Sequence, residues 1–205
     1  MKPCVKTSLT IFFVLLITLL LVIPFAFAEN GNKTAITNPE DRSLWKESGF
    51  VAGYGTGGIR EGNYEPLLLI WHLAYDLKGY IPALRNHRGI LTAVCEPQVN
   101  PAFRPRSEVE FGVGFGLKYL YPVTDNLYPY IQGTVGPHYI SVQTEDQASG
   151  FLFADTIGGG LYYFLSKSTA LHAGYRFRHM SNAGLKSPNG GINTHFGTAG
   201  ISFFF

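Results

Sequence analysis

His179 and Ser181, two residues apart, are a base and a hydroxyl with the makings of an acyl-transfer site. They end the row Leu171-Ala173-Tyr175-Phe177-His179-Ser181, taken at every second position, which is otherwise apolar. The residues between them, Ala170, His172, Gly174, Arg176, Arg178, Met180 and Asn182, are largely polar. Side chains at i and i+2 of a strand share a face, so the imidazole and the hydroxyl stand together at the end of a greasy strip. A serine hydroxyl is a weak nucleophile until a neighbouring base accepts its proton. Such a pair on an apolar strip points to ester chemistry on a substrate that lives in hydrocarbon.

The elements that carry this pair follow from composition. Charged residues make up only 15% of the chain, against roughly 25% in ordinary soluble domains. Aromatics reach 15%, and there are 24 glycines. Lys2 and Lys6 precede an uncharged apolar run from Leu9 to Ile23, then Pro24 and the small-x-small string Ala26-Phe27-Ala28. That is the pattern of a cleaved signal peptide over residues 1–28. Residues 29–48 are polar and carry Pro and Asn, and read as a flexible N-terminal lead. After the signal there is no apolar run of about 18 residues, so a spanning helix is not expected. Export, low charge, many aromatics and no spanning helix point to an outer-membrane β-barrel over residues 49–205.

Other chemistries find little support. With Cys4 in the signal, Cys95 stands alone and no intrachain disulfide is expected. There is no CxxC or HExxH string, so neither a metal nor another cofactor is implied. A net charge of +2 gives no case for a nucleic-acid partner.

Eight strand candidates cover residues 49–57, 66–76, 90–99, 107–119, 128–141, 151–165, 169–181 and 194–205. The fold class is therefore all-β, an eight-stranded antiparallel transmembrane barrel, the smallest closed form and too narrow for a channel. The fourth candidate alternates best, with Val109, Phe111, Val113, Phe115, Leu117 and Tyr119 set against Glu108, Glu110, Gly112, Gly114, Gly116 and Lys118. Polar groups inside and apolar bulk outside invert the pattern of a soluble barrel. The second candidate, Leu67 to Tyr75, alternates poorly and fits a short helix equally by pattern. Trp71, Tyr75, Tyr119, Tyr121, Tyr128, Tyr130 and Tyr139 read as interfacial girdle residues. Glu108, Glu110, Lys118, Arg176 and Arg178 read as a network filling the lumen. With both barrel ends periplasmic, the seventh strand runs outward and His179 and Ser181 reach the outer rim, facing lipid. The substrate there would be lipopolysaccharide.

The string Phe177-Arg178-His179-Met180-Ser181-Asn182-Ala183-Gly184-Leu185, followed by Pro188-Asn189-Gly190-Gly191-Ile192-Asn193, resembles the PagL family of lipid A deacylases. The resemblance is clearest from Ser107 to Phe205. It implies an eight-stranded outer-membrane barrel that hydrolyses the ester-linked acyl chain at position 3 of lipid A. It makes Ser181 the nucleophile and His179 the general base. The family's acidic partner falls at Asn193, which can hold an imidazole by hydrogen bond but cannot stabilise imidazolium by charge. Glu61 and Asp146 are other carboxylates in expected outer loops. Asn182, the Gly184 amide and Asn189 are the expected oxyanion or substrate-binding donors. The implied partners are lipid A in the outer membrane, with a homodimer possible. The competing reading is a non-catalytic small barrel, serving adhesion, surface protection or scaffolding.

Overall fold

Which side chains meet the membrane and which fill the barrel is decided by alternation along each strand. The computed structural model describes residues 46–78, 80–84 and 86–205. The expected signal peptide and the lead up to residue 45 lie outside the described residues. The strands are β1 (Lys46–Ile59), β2 (Gly62–Tyr64), β3 (Leu67–Asp76), β4 (Ile90–Ala102), β5 (Glu108–Leu120), β6 (Leu127–Ile140), β7 (Gly150–Ser166), β8 (Thr169–Ser181) and β9 (Ile192–Phe204). β1 pairs antiparallel with β3, successive strands from β3 to β9 pair antiparallel, and β1 also pairs with β9, which closes the sheet. Short β2 only prolongs the β1–β3 hairpin, so eight long strands form the closed barrel. Pro66, which has no N–H to give a ladder, stands at the break between β2 and β3.

β1 begins at Lys46, earlier than the strand expected from residue 49. The ambiguous second candidate is strand β3, not helix. Its blurred pattern has a physical cause. Leu68 and Ile70 point inward and pack with Val51 and Phe196, while Leu67, Leu69, Trp71, Leu73 and Tyr75 line the outer side. Apolar residues on both faces hide the period. β5 behaves as expected, with Glu110 and Lys118 buried and Phe111, Phe115 and Leu117 exposed.

The lumen is filled in layers. A charged belt joins Glu47 to Lys118, Glu96 to Arg176 and Glu110 to Arg178. Both arginines bind in two-pronged fashion, Arg176 at 2.7 and 3.0 Å and Arg178 at 2.8 and 2.9 Å. Glu110 also accepts from Tyr64 and from Asn100, and contacts His138. Glu108, expected in this network, instead accepts from Ser141 near the rim. At one end of the barrel an apolar plug contains Ile90, Leu120, Tyr128, Tyr130, Tyr162 and Phe164. Tyr128 and Tyr130 are thus lumen residues, not girdle anchors: Ile131 and Val135 take the outward parity of β6 and turn the even positions inward. At the other end, Tyr64, Ala102, Ile140, Leu152, Met180 and Ile192 form a second cluster beneath the ends of β8 and β9.

Candidate active site

At that second end the outward rows of β7, β8 and β9 lie side by side. Met180 pairs with Ile192 in the ladder, and both are buried in the cluster below. Arg178, locked to Glu110 across the lumen, is 1% exposed. These inward anchors fix β8 on both sides of His179, so its imidazole is presented outward from a rigid strand. Ser181 is the next residue on the same outward row.

His179 and Asn193 are directly opposed in the β8–β9 ladder. The His179 Nδ1 lies 2.7 Å from Asn193 Oδ1. With a carbonyl oxygen as acceptor, Nδ1 carries the proton and donates it, so in the neutral ring Nε2 is the nitrogen with the lone pair. This is the tautomer a general base requires. His179 and Ser181 stand on one outward row of β8, and Asn193 is opposed to His179 across the ladder. There is no hydrogen bond between Ser181 and His179 among the described residues.

The loop 182–191 caps the pair and is organised by Asn182, which is 2% exposed. Its backbone N–H donates to Asn189 Oδ1 at 2.8 Å, and its Nδ2 donates to the Lys186 carbonyl at 2.6 Å. Its Oδ1 accepts from the Gly184 N–H at 3.0 Å. The Asn182 amide and the Gly184 N–H, expected as oxyanion donors, are therefore engaged in shaping the loop. Ala183, at φ 51°, and Gly184, at φ 81°, take the left-handed turn that this arrangement needs.

The loop is braced from outside by residues 141–149. Gly190 N–H donates to the Asp146 carbonyl at 2.6 Å, and Ala148 N–H to the Pro188 carbonyl at 2.9 Å. The Asp146 carboxylate is held by Arg60, at 3.0 Å from Nε and 2.8 Å from the backbone N. Glu61 accepts from the Glu145 N–H. Both carboxylates are thus occupied in loop structure and neither contacts His179.

Two residues escaped sequence reasoning. Gly191, at φ 79°, lies against the His179 ring; the Gly-Gly turn was visible, but its closeness to the imidazole was not. Asp155 on β7 is directly opposed to His179 in the β7–β8 ladder. No local spacing announces it.

The sequence model of the lipid A 3-O-deacylase (PagL) family matches residues 66–202. Among solved structures, the outer-membrane enzyme PagL is 22% identical, with a TM-score of 0.56, covering 73% of this chain and 97% of that one. Neisserial surface protein A is 13% identical, with a TM-score of 0.58, covering 80% and 97%. No curated protein matches the chain. The likenesses to solved structures place the fold among outer-membrane β-barrels, and they bring no support for a homodimer.

Proposed function

The chain belongs to the PagL family of lipid A 3-O-deacylases, and we propose that it hydrolyses the ester-linked acyl chain at position 3 of lipid A in the outer leaflet, using Ser181 and His179. The observation that carries this reading is the outward-facing His179 with Nδ1 held by Asn193, beside Ser181 on the same row. An acyl ester lying in the membrane meets this surface without leaving hydrocarbon.

In the proposed reaction, His179 Nε2 accepts the Ser181 hydroxyl proton as Oγ attacks the ester carbonyl. The tetrahedral oxyanion collapses, the bond between the acyl carbon and the sugar oxygen breaks, and Nε2 returns the proton to the leaving sugar oxygen. Water then attacks the acyl-serine with His179 again as base, releasing the fatty acid and restoring Ser181. Nucleophile–base hydrogen bonds are often long before substrate binds and tighten in the complex. Asn189, whose Oδ1 is used by Asn182, keeps its Nδ2 to donate to the oxyanion, a contribution worth about 3–4 kcal/mol for an important donor. Asn182 and Gly184 serve by holding Asn189 and the turn in place.

The test is to express the chain in a bacterium whose lipid A keeps its 3-position acyl chain, and to weigh the lipid A. Loss of one acyl chain with wild type, and none with Ser181→Ala, is expected. The uncharged Asn193 favours the competing non-catalytic barrel, and unaltered lipid A with wild type would decide for it.

A further inference from the structure

Asp155 and Asn193 flank His179 on neighbouring strands, β7 on one side and β9 on the other. Directly opposed residues of an antiparallel pair share a face, with Cβ atoms about 4.5–5.5 Å apart. On the outward faces of β1 and β3–β9, Asp155 is the one carboxylate among the described residues. Glu47, Glu96 and Glu110 point inward to cations, and the loop residues Glu65 and Asp146 pair with Arg104 and Arg60. The Asp155 carboxylate has no ion pair or hydrogen bond among the described residues.

Its other neighbours are apolar. Phe153 and Ile157 stand on either side of it along β7, and Val135 is opposed to it on β6. Beside it stands His179; further round on β8 and β9 Tyr175 and His195 bond each other, and along the outward faces of β6 and β7 lie Tyr139 and Tyr163. A charge on a membrane-facing row is destabilising, and this one braces nothing. Directly across the ladder it faces the imidazole, with Ser181 diagonal to it, opposite Phe153.

We propose that Asp155 supplies the negative charge that Asn193 lacks. Asn193 Oδ1 fixes the ring and its tautomer by accepting the Nδ1 proton. Asp155 stabilises the imidazolium formed when Nε2 takes the Ser181 proton, acting through space in the weakly screening edge of the membrane. The task of one acidic residue in a Ser-His-Asp triad is thus divided between two strands. Asp155 acts through His179 and is a positioning residue, not a catalytic one. The inference rests on the hydrolase reading above.

The experiment compares wild type, Asp155→Asn, Asp155→Asn with Asn193→Glu, and Ser181→Ala. Each full-length chain is folded into the membrane at matched amounts, checked by the mobility shift of unheated barrels on gels. Lipid A is weighed, and kcat and KM are measured on purified lipid A in detergent. Asp155→Asn is expected to lower kcat by about ten- to a hundredfold with little change in KM, less than the ~10⁴ lost when a buried, hydrogen-bonded triad aspartate is neutralised. Adding Asn193→Glu is expected to restore most of that loss, because the charge returns to the ring from the other side. Unchanged turnover in Asp155→Asn overturns the inference, as does a loss that Asn193→Glu leaves in place, which marks a structural role. A wild-type chain no more active than Ser181→Ala overturns the hydrolase reading and the inference with it.

Discussion

Gly191 lies so close to His179 that a Cβ added there would meet the imidazole Cε1 at 2.6 Å. The glycine is the floor on which the ring rests, while Asn193 holds its edge.

Gly191→Ala therefore strikes the imidazole twice. The left-handed backbone at φ 79° costs an L side chain about 1–2 kcal/mol, and the new methyl pushes the ring out of place. A displacement near 1 Å is enough for about a hundredfold loss of turnover. Lipid A deacylation should fall by that order while the gel mobility of the folded barrel is unchanged, since Gly191 lies outside β8 and β9.

Asn182→Ala removes the hub of the loop. Each hydrogen bond it makes contributes about 0.5–1.5 kcal/mol, and its side chain ties three points of the loop, at Gly184, Lys186 and Pro188. The barrel should persist and the loop should open. Trypsin added to intact cells is expected to cut after Lys186 in the variant and to spare the wild type, and deacylation should be lost in parallel.

Arg178 and Glu110 form a fully buried pair, so removing one partner strands the other. Arg178→Met is expected to destabilise the barrel by about 3–5 kcal/mol in urea unfolding from lipid vesicles. The double variant Arg178→Met with Glu110→Gln keeps an acceptor for Tyr64 and His138 and should lose less than the single variant. Equal or greater loss in the double variant would show that the pair contributes more than mutual neutralisation.

Much of this was legible in sequence because barrel strands write their orientation in alternate residues. Val109 to Tyr119 could be read directly, and so could the shared face of His179 and Ser181. Reading failed where the lumen is itself apolar. Leu68 and Ile70 blurred β3, and Tyr128 and Tyr130 looked like interface anchors although they plug the interior. Contacts set by register were also hidden. Nothing local to Phe153-Ala154-Asp155 says that its carboxylate will stand opposite His179, because that pairing is fixed by how β7 and β8 align around the Ser166–Thr169 turn. Asn182 was noticed for its donors, but the loop that absorbs them exists only once residues 182–191 have folded back on it.

The braces between residues 141–149 and the capping loop are mostly main chain to main chain, from Gly190 to Asp146 and from Ala148 to Pro188. Amide-to-carbonyl stitches of this kind ignore side-chain identity but demand that the partners arrive in step. The exposed Gln143 and Glu145 are therefore free to drift in character, for instance under pressure from surface-binding antibodies, with little penalty at the imidazole. A single inserted or deleted residue there would throw the two segments out of phase and unseat the cap, so the segment is constrained by its length as well as by the side chains of Thr144, Asp146 and Gln147.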